Sequence, residues 1–230
     1  HLMNPKIIAF DADDTLWHNE TYFRETEKKF YALLESYMPE HALAKELFHI
    51  EMQNLELYGY GIKAFTLSMI ESAMQISDNT IQMEDIQKII SYGKELLQMP
   101  VELMDDVEDV LQQLSEKYRL VLATKGDLLD QHRKLTKSGL GKYFHHIEIM
   151  SEKKEVDYQR LFRRLDIKPD DFVMIGNSLK SDVLPVLELG GTAFHIPYHV
   201  TWAHEHVDRK IEHENFYALE KISELSSYLI

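Results

Sequence analysis

The sequence predicts an α/β fold: a parallel sheet covered by helices in three layers, with an all-α domain inserted after the first strand. Three observations predict it. Short apolar runs alternate with helix-period segments from Pro100 onward, the pattern of a parallel sheet with helical crossovers. Helix-period apolar residues alone fill the stretch from Tyr22 to Gln98. Polar residues able to do chemistry follow directly on the apolar runs, where ligands bind in such sheets.

The first run, Ile7-Ile8-Ala9-Phe10, reads as a buried strand. Tyr22, Phe23, Phe30, Leu33, Leu34 and Tyr37 suit an amphipathic helix that ends before Pro39. Ala42 to Leu57 gives a second helix, and Tyr58-Gly59-Tyr60-Gly61 breaks the pattern. Lys63 to Ile76 gives a third and Met83 to Leu97 a fourth, with Phe65, Met69 and Met74 expected in their core. Beyond Pro100 come a helix over Asp105–Glu116, a strand over Leu120–Thr124, a helix over Asp127–Ser138 and a strand over Phe144–Met150. A helix over Val156–Leu165, a strand over Phe172–Gly176, a helix over Ser181–Leu189 and a strand over Thr192–Ile196 complete the alternation. A last helix is expected over Asn215–Leu229. The expected domains are therefore residues 1–17 with 99–230, a discontinuous sheet domain, and residues 18–98, a helical one. His1-Leu2 ahead of Met3 reads as a cloning remnant and is left out of the fold reading.

Composition narrows the function. The 230 residues are 44% hydrophobic and 28% charged, ordinary for a globular chain, with a net charge of -14. That charge argues against binding nucleic acid or an anionic membrane. There is no Cys, which excludes disulfides, thiolate catalysis and thiolate metal sites. No apolar run is long enough to span a membrane, and a cytoplasmic location is the expectation.

The polar residues after each strand form a pattern. Asp11, Asp13 and Asp14 follow the first. Carboxylates grouped at a strand end repel one another unless a cation joins them, and a divalent metal with oxygen ligands is the simplest partner. Thr124, Lys125 and Gly126 follow the second strand; Ser151-Glu152-Lys153-Lys154 the third; Gly176-Asn177-Ser178, with Asp182 beyond, the fourth. An acid, a hydroxyl, a lysine and a second oxygen cluster thus fall at one end of one sheet.

These residues carry a resemblance. Asp11-Ala12-Asp13-Asp14-Thr15-Leu16, Leu120-Val121-Leu122-Ala123-Thr124, a lysine of Ser151-Glu152-Lys153-Lys154 and Ile175-Gly176-Asn177-Ser178-Leu179-Lys180-Ser181-Asp182 resemble, in order and spacing, the four motifs of the haloacid dehalogenase superfamily. The resemblance implies a Rossmann-like core with an inserted helical cap. It implies a Mg²⁺-dependent phosphatase acting on a small phosphorylated metabolite through an aspartyl-phosphate, as a monomer or homodimer. In that reading Asp11 is the nucleophile and Asp13 the acid and base. Thr124, Lys125 and Lys153 bind phosphate, with Lys153 also catalytic. Asp11, Asp13, Asn177 and Asp182 hold Mg²⁺. Lys153 is preferred over Lys154 on its spacing to Tyr158. Lys125 either adds charge at the phosphate, meets the body of the substrate, or faces solvent.

Asp13 favours phosphate esters over haloacids, because relatives that cleave carbon–halogen bonds lack an acid there. Asn177 stands where the superfamily usually has Asp, so its oxygen can ligate Mg²⁺ but brings no charge. Tyr60, Gly61 and Lys63 are the candidate substrate-reading residues of the cap loop, set against a plain helix connection. The tract from His195 to His206 reads as a structured loop after the last strand rather than a metal site. A phosphomutase and a catalytically weakened binding protein stand as the rival functions.

Overall fold

The computed structural model describes residues 3–208 and 210–230, and His1-Leu2 lies outside them. Among the described residues the chain forms two compact units: residues 1–20, 101–125 and 132–230, and residues 21–100 with 126–131.

The first unit is built on a six-stranded sheet. Its strands are β1 (Ile7–Phe10), β2 (Arg119–Lys125), β3 (His146–Met150), β4 (Phe172–Gly176), β5 (Thr192–His195) and β6 (Phe216–Ala218). Their order across the sheet is β3-β2-β1-β4-β5-β6, and every pairing is parallel. The two-residue period of a strand sorts the side chains onto two faces. Ile8, Phe10, Leu120, Leu122, Val173, Ile175 and Phe194 pack on one face against Val107, Val110, Leu111 and Leu114 of helix α5 (Val107–Ser115), with Ile222, Leu225 and Leu229 from the C-terminus. Ile7, Ala9, Val121, Ala123, Phe172, Met174 and Ala193 pack on the other against Tyr158, Leu161 and Phe162 of α7 (Glu155–Leu165) and Val186 and Leu187 of α8 (Leu184–Glu188). Between β2 and β3 runs α6 (Leu128–Ser138). This is the three-layer α/β arrangement the alternation predicts.

Two expected elements differ. The helix over Asn215–Leu229 is instead strand β6, a 3₁₀ turn at Ile222–Leu225 and a short α9 (Ser226–Leu229). Phe216 and Tyr217 are aromatics that fit a pleated surface, and each contacts a different face of the sheet. Tyr217 stacks on Phe194 with ring centroids 4.8 Å apart, which adds to the β5–β6 pairing. The helix expected over Ser181–Leu189 opens as a wide π turn at Leu179–Val183. Pro185 has no N–H to give the Ser181 carbonyl four residues back. The Tyr158 hydroxyl donates to that carbonyl instead, at 2.7 Å.

The second unit is helical: α1 (Glu20–Leu33), α2 (Glu40–Tyr58), α3 (Ile62–Ile76) and α4 (Met83–Gln98). Its core gathers Phe30, Leu34, Leu43, Leu47, Ile62, Phe65, Met69, Ala73, Ile89 and Leu96. Met74, expected in that core, is exposed, because its position on α3 falls away from the buried stripe of Phe65, Met69 and Ala73. No helix among the described residues is long and apolar enough to cross a membrane.

Candidate active site

The sheet unit carries a buried charged cluster at the C-terminal ends of β1 and β4. Asp11 follows β1 directly, and its N–H donates to the Ile175 carbonyl, so β4 fixes its backbone. The buried ammonium of Lys153 donates to Asp11 Oδ1 at 2.8 Å and to Asp182 Oδ1 at 2.7 Å. Lys153 lies in the β3–α7 connection, whereas Lys154 next to it is exposed and only 3.9 Å from Glu152 at its nearest. Asp182 reaches the cluster from the π turn, with Oδ2 accepting from the Ser178 N–H at 3.0 Å. Gly176 makes this possible: a Cβ there would stand 2.1 Å from Asp182 Oδ2.

Two carboxylates thus share one lysine. Burial and then the Asp182 charge push the Asp11 carboxyl up, against the pull of Lys153. Burial disfavours the charged Lys153, but Asp11 and Asp182 overcome it and raise the ammonium well above its ordinary range. The cluster keeps an excess of negative charge, the condition in which a buried acid gains from a further cation.

Asp13 has separate partners. Trp17 Nε1 donates to Asp13 Oδ1 at 2.9 Å, and Lys134 of α6 donates to the same oxygen at 2.7 Å. Asp14 adopts a left-handed conformation and accepts from the N–H groups of Asn19 and Glu20, at 2.8 and 2.9 Å, at the start of α1. Acids adjacent in sequence therefore do different work: Asp14 holds a turn, while Asp11 and Asp13 face charged partners.

Asn177 joins the cluster through its side-chain amide. With its nitrogen turned inward it donates to Asp11 Oδ2 at 2.8 Å and to the main-chain oxygen of Asp13 at 3.2 Å. With its oxygen inward it accepts from Thr15 Oγ1 at 3.2 Å. A carboxylate oxygen, a main-chain carbonyl and an amide thus converge on one point. Among the described residues no three His, Cys, Asp or Glu side chains form a metal cluster. The set at this rim is made otherwise: with the Asn177 oxygen turned inward it consists of hard oxygen donors, and such a set fits Mg²⁺.

The expected phosphate residues separate. Thr124 is buried at the end of β2, its hydroxyl 3.3 Å from the Lys125 carbonyl oxygen. Lys125 turns to Ser181 Oγ, 3.0 Å away, and to the Glu205 carboxylate. Tyr60, Gly61 and Lys63 lie in the helical unit, where Lys63 pairs with Asp127 at 3.1 Å. Sequence reasoning missed Lys134 and Glu205. Lys134 is one of several polar residues on α6, and nothing in its spacing singles it out. Glu205 sits in the tract the sequence did mark, but as the acid among its histidines.

The comparisons decide the family. A profile described as haloacid dehalogenase-like hydrolase matches residues 5–190. The chain belongs to this family. A haloacid dehalogenase-like family hydrolase from Xanthomonas campestris shares 37% identity and a TM-score of 0.88 over 97% of this chain and 90% of that one. A HAD hydrolase of Bacillus subtilis bound to magnesium has the same fold, with a TM-score of 0.69 at 16% identity over 98% of each chain. Mouse N-acylneuraminate-9-phosphatase is 33% identical over 93 residues, 38% of each chain, so the match spans under two-fifths of that relative's length. The glyceraldehyde 3-phosphate phosphatase of Methanothermobacter thermautotrophicus is 22% identical over 89% of this chain and 91% of its own.

Proposed function

We propose that this hydrolase is a Mg²⁺-dependent phosphatase of a small phosphorylated metabolite, working through an aspartyl-phosphate on Asp11. The observation that carries the reading is the division of labour between two acids two residues apart. Asp11 is held by Lys153, and Asp13 by Trp17 and Lys134. Two relatives, an N-acylneuraminate-9-phosphatase and a glyceraldehyde 3-phosphate phosphatase, support the substrate class.

In this reading Asp11 attacks phosphorus and the ester oxygen leaves with a proton from Asp13. Asp13 then takes a proton from the water that hydrolyses the acyl phosphate, restoring both residues. Lys153 holds Asp11 in line and offsets phosphoryl charge, with Asp182 orienting Lys153. Thr124 and the N–H groups beyond β2 receive phosphoryl oxygens. Asp11, the Asp13 carbonyl and Asn177 would hold Mg²⁺, with the charge of Asp182 nearby. When bound, Mg²⁺ supplies charge neutralisation and orientation of the phosphoryl oxygens. The helical residues 18–98 serve as the cap, with Tyr60, Gly61 and Lys63 reading the body of the substrate.

A chromogenic aryl phosphate assayed with Mg²⁺ tests this. Turnover well above an Asp11→Asn control is expected, and none above that control would end the phosphatase reading. A screen of phosphorylated metabolites for released phosphate then narrows the substrate. Isomerised sugar phosphate in place of free phosphate would move the assignment to a phosphomutase.

A further inference from the structure

Glu205 lies outside all four motifs, in the 3₁₀ turn Ala203–Glu205 of the connection between β5 and β6. Its carboxylate nevertheless meets the fourth of them and the residue that follows the second. Lys125, the last residue of β2, donates to Oε1. Ser178 Oγ donates to Oε2 at 2.6 Å and Ser181 Oγ at 2.5 Å. The hydroxyls are used in both directions, since Ser178 Oγ accepts from the Ser181 N–H at 3.0 Å and Ser181 Oγ accepts from Lys125. Lys180 ties the same turn down by donating to the His204 carbonyl at 2.9 Å. The side chains of Glu205 and Lys125 are each only 14% exposed, so this is a nearly dry ion pair, and the carboxylate accepts from three side chains. Burial pushes the Glu205 carboxyl up, but Lys125 and the serine hydroxyls outweigh it and hold it down at about 2.

What Glu205 joins is specific. Lys125 follows Thr124, the expected phosphate-holding hydroxyl. Ser178 and Ser181 flank the turn that delivers Asp182 to Lys153, and Ser178 also gives Asp182 its N–H. Removing the carboxylate would leave a largely buried ammonium without its counter-charge and two hydroxyls without their acceptor, and would weaken the link between the ends of β2 and β4 to the Lys125–Ser181 bond.

We propose that Glu205 is a positioning residue for phosphoryl transfer: it clamps Lys125 to the Ser178–Asp182 turn, and so fixes the phosphate-holding end of β2 against the turn that orients Lys153. The claim rests on the phosphatase reading for its kinetic consequence, but the clamp itself can be read without turnover. It also assigns the charge of Lys125 to Glu205 rather than to the substrate.

The test combines aryl phosphate kinetics with hydrogen exchange on wild type, Glu205→Gln, Glu205→Asp, Lys125→Met and the Lys125→Met/Glu205→Gln double variant. Glu205→Gln keeps the size of the side chain but turns a neutral amide toward Lys125. Its kcat is expected to fall about tenfold or more with KM little changed, as misplacement of reacting groups does. Exchange should quicken at 196–206 and at the end of β2, with the rest of the sheet protected. Glu205→Asp, which keeps the charge, should recover part of the loss. The double variant should be no worse than Glu205→Gln alone, because both changes break one clamp. A Glu205→Gln enzyme with wild-type kcat overturns the proposal, as does full additivity in the double variant. Should Glu205→Gln unfold, Ser178→Ala/Ser181→Ala removes two of the three donors, and an undiminished kcat in that protein overturns it equally. If wild type turns over no faster than Asp11→Asn, the phosphatase reading fails. The clamp is then judged by exchange alone, and unchanged protection at 196–206 in Glu205→Gln refutes it.

Discussion

Carboxylates are withdrawn from water in both units of this protein, fully for Asp11 and Asp182 and partly for Glu27 and Glu51, and the two units differ in the cations they give them. In the sheet unit Asp11 and Asp182 each sit within 3 Å of the Lys153 ammonium, and Asp13 within 3 Å of Lys134. In the helical unit Glu51 of α2 is pushed up to about 8 by burial and by the neighbouring Glu27, with Arg24 opposing. Burial likewise raises Glu27, against Arg24 and the Tyr31 hydroxyl, which donates to it at 2.9 Å. The difference separates a site from a packing compromise. Burial raises Asp11 too, but Lys153 is bonded directly to it and pulls the other way. For Glu51, beside Glu27, the proton is the cheaper counter-ion.

Breaking the first arrangement should cost most. Lys153→Met leaves Asp11 and Asp182 facing each other with no cation between them. Loss of one partner from a buried pair costs about 3–5 kcal/mol, and unfolding by urea should show a drop of that size, with activity gone. Recovery of stability in Lys153→Met/Asp182→Asn would sharpen the point. Gly176→Ala comes next. The new Cβ displaces the Asp182 carboxylate, and the overpacking should cost about 1–3 kcal/mol, read by thermal unfolding.

The helical unit should respond to pH through Glu51. Glu51 releases its proton near 4.5 in the unfolded chain but near 8 in the folded one. The folded state therefore holds the extra proton between these values, and stability falls as pH rises from about 4.5 through about 8. Glu51→Gln should flatten that slope and be the more stable protein at the alkaline end, as urea midpoints across the range would show. An equal slope in both proteins would overturn the assignment of that dependence to Glu51. Lys154→Ala should do least. Its side chain is 74% exposed beside the buried Lys153, and a change within about 0.5 kcal/mol is expected by the same unfolding assay.

The sheet was legible because each central strand is an unbroken apolar run ending in a polar cluster. That cue also brought Asp11, Lys153, Asn177 and Asp182 to notice, and the fold gathers these four in one place. It failed where the reason for an element lies in a partner far along the chain. Phe216 and Tyr217 become a strand because Phe194 and β5 lie beside them, and helix periodicity after Ile222 hid this. The π turn at Leu179–Val183 depends on Tyr158 serving a carbonyl that Pro185 cannot. Lys134 and Glu205 are ordinary charged residues in sequence; only the fold shows that one meets Asp13 and the other Lys125.

The central claim is that Asp11 is the nucleophile and Asp13 its acid and base. An aryl phosphate has a leaving group that needs little protonation, so Asp13→Asn should still be phosphorylated but should hydrolyse the intermediate slowly. A burst of one equivalent of aryl alcohol per enzyme is expected, followed by slow turnover. Mass spectrometry of the quenched protein should find one phosphoryl group on the peptide holding Asp11. Turnover without a burst, or a phosphoryl group on any other residue, would contradict it.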